Sequence, residues 1–365
     1  MCFVDFEKAF DSVDRHTIWN ILRYYGVPEK VVNIIRLIYD KYTCQVIHDG
    51  RLSEEFAVTT GVRQGCLLSP LLFLIILDWV TRTAYANSGK GIQWSLMRKL
   101  EDLDFADDLA LLSNRLQDMQ DKVDALRKVS QRVGLRISKE KTKVLRTNNR
   151  QETPITIGGL AIEDVQEFTY LGSKISQTGG TEEDILARIK KARQAFAILR
   201  PVWKATAISA RTKLRIFGSN VKSILMYGSE TWRVTKSSSN KIQTFINKCL
   251  RQILNIKWFD RVPNIDLWTR TNQEQIAVQI KRRKWRWIGH TLRKQPENIT
   301  RQALFDWNPQ GKRKRGRPKM TWRRTITDEL KTISMSCEET KRNARDRKKW
   351  KATVEALCST RSQEE

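Results

Sequence analysis

Asp107 and Asp108 are adjacent carboxylates between two extended runs, 99–104 and 109–113, with only Phe105-Ala106-Asp107-Asp108 to turn the chain. Like charges in so tight a turn repel, and the arrangement is costly unless a cation stands beside it. An Asp-Asp turn by itself is more often a solvated loop. Asp5, at the end of the short apolar run 1–6, adds a third carboxylate, because two strands of an antiparallel sheet can set their acidic ends side by side. Oxygen donors without His or Cys favour Mg²⁺, which keeps positions open for phosphate oxygens. Two such ions on shared carboxylates suit in-line phosphoryl transfer.

The elements that must position these groups follow from periodicity. Residues 16–25 read as a helix stopped by Gly26, and Pro28 opens a second whose apolar face is expected to be Val31, Ile34, Ile35 and Ile38. Runs 44–48 and 56–60 around Asp49-Gly50 suggest a hairpin, and Ser69-Pro70 starts a helix towards Tyr85. Leu116, Met119, Val123, Leu126, Val129 and Val133 recur at helical spacing up to Gly134, and strands are expected at 135–138 and 143–146. Strand, helices, hairpin, helix and strand in that order describe an α+β layer, an antiparallel sheet with helices on one face. After the 177–180 linker the pattern turns helical. Thr181 to Asp184 has the form of a capping box, Ile185, Ile189, Ala192 and Phe196 make one stripe, and further helices are expected near 214–225, 242–254 and 338–357.

Charge separates the two halves. The chain carries +27; up to Gly180 there are 24 Lys and Arg against 23 Asp and Glu, and beyond it 43 against 17. An excess of that size in one half points to a polyanion, nucleic acid ahead of an anionic membrane surface. The apolar run Leu71 to Leu77 is far short of the ~20 residues that span a bilayer, so no membrane role is expected. No secretory signal is visible, and six scattered cysteines without a CxxC pair argue against a zinc site or a disulfide framework. The expectation is a reduced intracellular compartment, nuclear or cytoplasmic. In 281–287, Lys281-Arg282-Arg283-Lys284-Trp285-Arg286-Trp287, charge alternates with aromatics, which suits phosphate neutralisation with base stacking. Ile276, Ile280, Trp287 and Leu292 also fit one helical face, so Trp287 is expected in the core with Arg283, Lys284 and Arg286 outward and Trp285 undecided. Arg315-Gly316-Arg317-Pro318 has the form of an AT-hook, whose arginines could lie in an A·T minor groove; a nuclear-import signal, a plain phosphate binder and a solvated linker compete with it.

Taken in order, 3–11 (FVDFEKAFD) resembles motif A of reverse transcriptases, 61–70 (GVRQGCLLSP) motif B, 105–108 (FADD) motif C, 134–137 with 141–143 motif D, and 170–172 (YLG) the primer grip. The style of these motifs, with 227–232 (YGSETW) and 287–290 (WIGH), is similar to the non-LTR, LINE-type retrotransposon enzymes. The resemblance implies a right-hand polymerase palm at 1–176, an all-α thumb at 181–255 and a basic helical nucleic-acid-binding region at 256–365. It implies RNA-directed DNA polymerisation with two Mg²⁺ ions, or Mn²⁺ in their place, on Asp5, Asp107 and Asp108, with Lys141 as an acid for the pyrophosphate. It implies nucleotide contacts at Phe6, Phe10, Gln64 and Gly65, with Phe10 excluding a 2′-hydroxyl by bulk, and a primer grip of Tyr170, Leu171 and Gly172; ordinary packing competes for Phe10 and Gln64. Template RNA, primer and target DNA, and dNTPs are the implied partners. Many relatives end in a Cys/His knuckle, but His290 has no cysteine near it, so no zinc is expected. The family places fingers before motif A, and relatives carry an endonuclease further upstream. The expectation is therefore a chain that binds Mg²⁺ weakly and extends primers poorly by itself, with a non-catalytic nucleic-acid-binding remnant as the alternative.

Overall fold

The computed structural model describes residues 1–85, 88–147, 153–307 and 320–359. Two units divide after Leu171, Met1–Leu171 and Gly172–Glu365.

In the first unit, Cys2–Val4 (β1) is buried at every position, with Phe168 and Tyr170 against Phe3 on the face away from the core. The helices Arg15–Tyr24 (α1), Glu29–Tyr39 (α2) and Ser69–Tyr85 (α3) follow, then strands Asp102–Phe105 (β2) and Asp108–Leu111 (β3), helix Leu116–Arg132 (α4), and strands Lys143–Leu145 (β4), Glu163–Val165 (β5) and Glu167–Tyr170 (β6). The sheet order is β5-β4-β1-β3-β2, with β5 parallel to β4 and the other pairs antiparallel. This is an α+β arrangement. Alternation sorts the strand residues: Cys2, Val4 and Phe6 join Leu109, Leu111 and Val144 in one core with α1, α3 and α4, while Phe3 turns to the opposite face and stacks on Phe168 at 4.2 Å. Asp14 caps α1 by accepting from the Thr17 amide at 2.7 Å.

Three expectations change here. α2 buries Val32, Ile35 and Tyr39 and leaves Val31, Ile34 and Ile38 exposed, because the helix carries two apolar stripes and periodicity alone does not say which one meets the core. The strand expected at 135–138 is reduced to one bridge, Phe6 to Ile137. The single hairpin expected at 44–60 is two small ladders, Thr43–Cys44 with Phe56–Ala57 and Ile47–His48 with Arg51–Leu52.

The second unit is helical after strand Ser173–Ser176 (β7). Glu182–Ile198 (α5) and Lys236–Ile253 (α6) enclose a core from Ile185 to Ile280, which runs on past residue 255. Ile276–Leu292 (α7) gives its first turns to that core and its later turns, Trp285, Ile288 and Leu292, to another with Trp322–Lys331 (α8), Cys337–Arg345 (α9) and Arg347–Ser359 (α10). The α5 stripe of Ile185, Ile189, Ala192 and Phe196 is buried as its spacing requires. The capping box is not formed. Thr181 Oγ1 donates to the Arg233 carbonyl instead, and buried Asp184 accepts from the Trp232 indole at 2.7 Å and the Lys174 amide at 2.8 Å. A carboxylate with two buried donors to satisfy is drawn away from its own helix end.

Candidate active site

The site is built on the face of the sheet away from the helices. The register Cys2↔Leu111, Phe3↔Ala110, Val4↔Leu109 continues to bring Asp5 opposite Asp108, one step beyond the last paired residues and on the face that Phe3 occupies. Across the hairpin, Phe105 pairs with Asp108, leaving Ala106 and Asp107 to make the turn. Ala106 takes φ +54°, a left-handed conformation that side chains other than glycine rarely adopt, and it throws the exposed Asp107 outward at the tip. Burial first, and then the charges of Asp107 and Asp5, push the Asp108 carboxyl above the usual carboxylate range. Lys141 Nζ lies 3.5 Å from Asp5 Oδ1. The Asp5 backbone is held by its carbonyl, which accepts from the Ser138 amide at 2.8 Å.

Repulsion relieved by a shared cation, together with an all-oxygen donor set, fits Mg²⁺. Among the described residues no three or more His, Cys, Asp or Glu side chains stand close enough together to hold a metal ion.

Tyr170 reaches the same hairpin from β6. Its hydroxyl bonds to the Leu103 carbonyl at 2.9 Å and lies 3.3 Å from the Asp108 carbonyl, and its ring sits 5.4 Å from Phe3. Burial, followed by Asp108, Asp104 and Asp102, pushes this hydroxyl up to about 12, so it stays a donor. The sequence identified Tyr170 but not that it grips the backbone of the carboxylate hairpin; no local pattern encodes a partner 62 residues away. Leu171 adopts φ +48° at the end of the first unit. Gly172 opens the second unit at φ +78°, its carbonyl accepting from the Arg188 guanidinium, which lies 4.3 Å from the Tyr227 ring.

The remaining candidates divide. Phe10 is half-buried and stacks on Phe73 at 4.6 Å, so its position is fixed by α3. Gln64 is exposed and its Nε2 donates to Asp11 Oδ1 at 3.0 Å. Gly65 is also exposed, with φ +82° and open space where a side chain would begin. Gly61 ties this loop to the segment after Asp5: a Cβ there would come within 2.6 Å of Asp11 Cα, and the Val62 amide donates to the Phe10 carbonyl at 2.7 Å. Phe6, by contrast, is buried in the core, because strand alternation turns it away from the face that carries Asp5. Its ring supports the site from beneath.

In α7, Arg283 and Arg286 are exposed, Arg283 pairing with Glu230 at 2.7 Å. Lys284 is not outward. It is buried with its ammonium 2.5 Å from Glu329, whose other oxygen accepts from the Trp285 indole. Trp287 packs against the core as expected but is only partly buried, and Trp285, left undecided by the sequence, is fully buried, since the core lies on the 285–288–292 stripe. Arg315 and Arg317 lie outside the described residues. No described helix is long and apolar enough to cross a membrane.

Against known proteins, a reverse transcriptase (RNA-dependent DNA polymerase) family profile matches residues 1–175, and a domain of unknown function matches 195–227. A putative uncharacterized transposon-derived protein of Caenorhabditis elegans is 28% identical over 70% of this chain and 96% of its own length. The Pol polyprotein of the type-2 retrotransposable element R2DM of Drosophila melanogaster is 28% identical over 70% of this chain, and the RNA-directed DNA polymerase from the mobile element jockey 25% identical over 72%. The chain spans only 25% and 29% of those two polymerases. A telomerase structure from Candida tropicalis aligns at TM-score 0.39 and 13% identity over 83% of this chain and 48% of the other.

Proposed function

We propose that the first unit, whose residues 1–175 match the reverse transcriptase (RNA-dependent DNA polymerase) family profile and resemble the enzymes of non-LTR retrotransposons, is a polymerase palm that adds dNTPs to a DNA primer on an RNA template. The helical core that begins with α5 and α6 then acts as the thumb. The observation that carries this reading is the register that sets Asp5 beside Asp108, with Asp107 at the adjoining turn, at the exposed end of the strands.

In this reading Asp5 and Asp107 hold the divalent ions and Asp108 supports them. When bound, the ions supply charge neutralisation and acidify the attacking hydroxyl. The protein's own groups do the rest. Lys141, already beside Asp5, holds negative charge at that spot and is placed to give a proton to the departing pyrophosphate. Phe10, locked against Phe73, blocks a 2′-hydroxyl by bulk, and Gly65 lets the backbone of the 61–65 loop come close to the base pair. Tyr170 keeps the carboxylate hairpin in place from below the primer end.

The test is incorporation of dTTP on poly(rA)/oligo(dT) with Mg²⁺, by the chain alone and by the chain preceded by the fingers segment of a relative. Asp107→Asn should abolish incorporation in whichever form supports it, and Phe10→Ala should admit ribonucleotides. Absence of metal-dependent incorporation from both forms, or activity indifferent to Asp107→Asn, would overturn the proposal. All three carboxylates are kept, and a non-catalytic remnant is not the favoured reading.

A further inference from the structure

Trp258 is 89% exposed and is the sole exposed tryptophan among the described residues. It stands with Phe259, 62% exposed, on a single helical turn, Trp258–Asp260, between α6 and the helix Asn264–Thr271. The two rings meet edge to face, 5.8 Å apart at 76°. Nothing in the motifs singled out from the sequence covers this corner.

The loop that carries the rings is held firmly. The Ile256 amide donates to the Arg251 carbonyl at 2.9 Å, and Ile256 packs against the core of α5 and α6. Asp260 accepts from the Lys257 amide at 2.7 Å, and the Arg251 guanidinium bonds to the Val262 carbonyl at 3.1 Å and to Asn264 Oδ1 at 2.8 Å. Arg261 turns the chain with φ +49°. A pinned loop that presents two rings to water costs solvation that a binding partner recovers.

The flanking charges identify the partner. Lys257 and Arg261 bracket the rings, while the one acid between them, Asp260, is occupied by the loop's own backbone. Beyond Gly180 the chain carries 43 Lys and Arg against 17 Asp and Glu. Aromatic faces beside cations in so positive a region fit an unpaired base with its phosphate, whereas an ordinary protein interface lacks the charge to match. We propose that Trp258 and Phe259 form a stacking platform for unpaired bases of single-stranded nucleic acid, with Lys257 and Arg261 on the adjoining phosphates. The proposal rests on the nucleic-acid-enzyme reading above and adds a site to it.

The test uses the intact chain carrying Trp258→Ala and Phe259→Ala together, since neither exposed ring supports the fold. Binding is measured by fluorescence anisotropy to a labelled single-stranded oligouridylate and to an abasic strand of equal length and charge. Affinity for the oligouridylate should fall roughly tenfold or more. Affinity for the abasic strand and the slope of binding against salt should not change, and Trp258→Phe should restore most of the loss. Equal loss on both strands, no loss on either, no binding by the parent chain, or a change confined to sedimentation behaviour, which would mark a protein contact, each overturns the proposal. A chain that incorporates dTTP yet ignores the ring deletions would sink this site alone and leave the polymerase reading standing.

Discussion

Asp102 and Asp108 hold their protons more tightly than free carboxyls, for different reasons. Asp102, on the edge strand β2, is pushed from 3.8 to about 6 mainly by burial, with Asp104 adding repulsion. A carboxyl raised in the folded state binds its proton better there than in the unfolded chain. The stability it contributes is complete below about 4 and is lost as pH rises through about 6. Denaturant unfolding between pH 4 and pH 7 should therefore show a loss on the order of 2–3 kcal/mol that Asp102→Asn removes. A profile unchanged by that substitution would contradict the assignment. Asp108 is raised by burial first and then by the charges of Asp107 and Asp5. The register that brings Asp5 opposite Asp108 was legible because residue type and turn spacing survive into the structure. Phe6 and Lys284 were misplaced because they stand in motifs read as functional, whereas strand alternation and the helical stripe bury these two.

At the scale of elements, the 287–290 segment has a packing explanation. A Cβ on Gly289 would come within 1.9 Å of the Trp350 indole nitrogen, which itself donates to the Trp285 carbonyl at 3.1 Å. Gly289→Ala gains about 1 kcal/mol of helix propensity in principle. Overpacking should outweigh it and destabilise α7 against α10 by at least about 1–3 kcal/mol. Thermal melting decides this: a raised midpoint would show that α7 and α10 do not pack so closely. Helix existence was readable from periodicity, as in α4 and α5, whose predicted stripes are buried. Which stripe faces inward was not readable where a helix has two, as α2 shows. The bonds that replaced the capping box depend on Trp232, 48 residues from Asp184, and no local rule reaches that far.

For the whole molecule, the net charge beyond Gly180 predicts duplex binding that weakens with salt at a log–log slope of about −0.9 per neutralised phosphate. Exposed Arg286 and buried Lys284 separate charge that binds from charge that folds the chain. Arg286→Ala should reduce the slope by about 0.9 with little effect on stability if it meets a phosphate. Lys284→Ala leaves Glu329 without its buried ammonium and should cost on the order of 3–5 kcal/mol of stability. A Lys284→Ala chain as stable as the parent, changed only in its salt slope, would put that side chain on the surface after all. Charge and motif order thus point to the nucleic-acid enzyme proposed above, while the separation of surface arginines from buried lysine needed the packed helices. The central claim is that Asp5, Asp107 and Asp108 make one divalent-cation site. Its most direct test is titration of the intact chain with Mn²⁺, followed by electron paramagnetic resonance. Binding should saturate, yield to excess Mg²⁺, and weaken tenfold or more in Asp5→Asn and in Asp107→Asn alike; Mn²⁺ binding that both variants keep unchanged would contradict it.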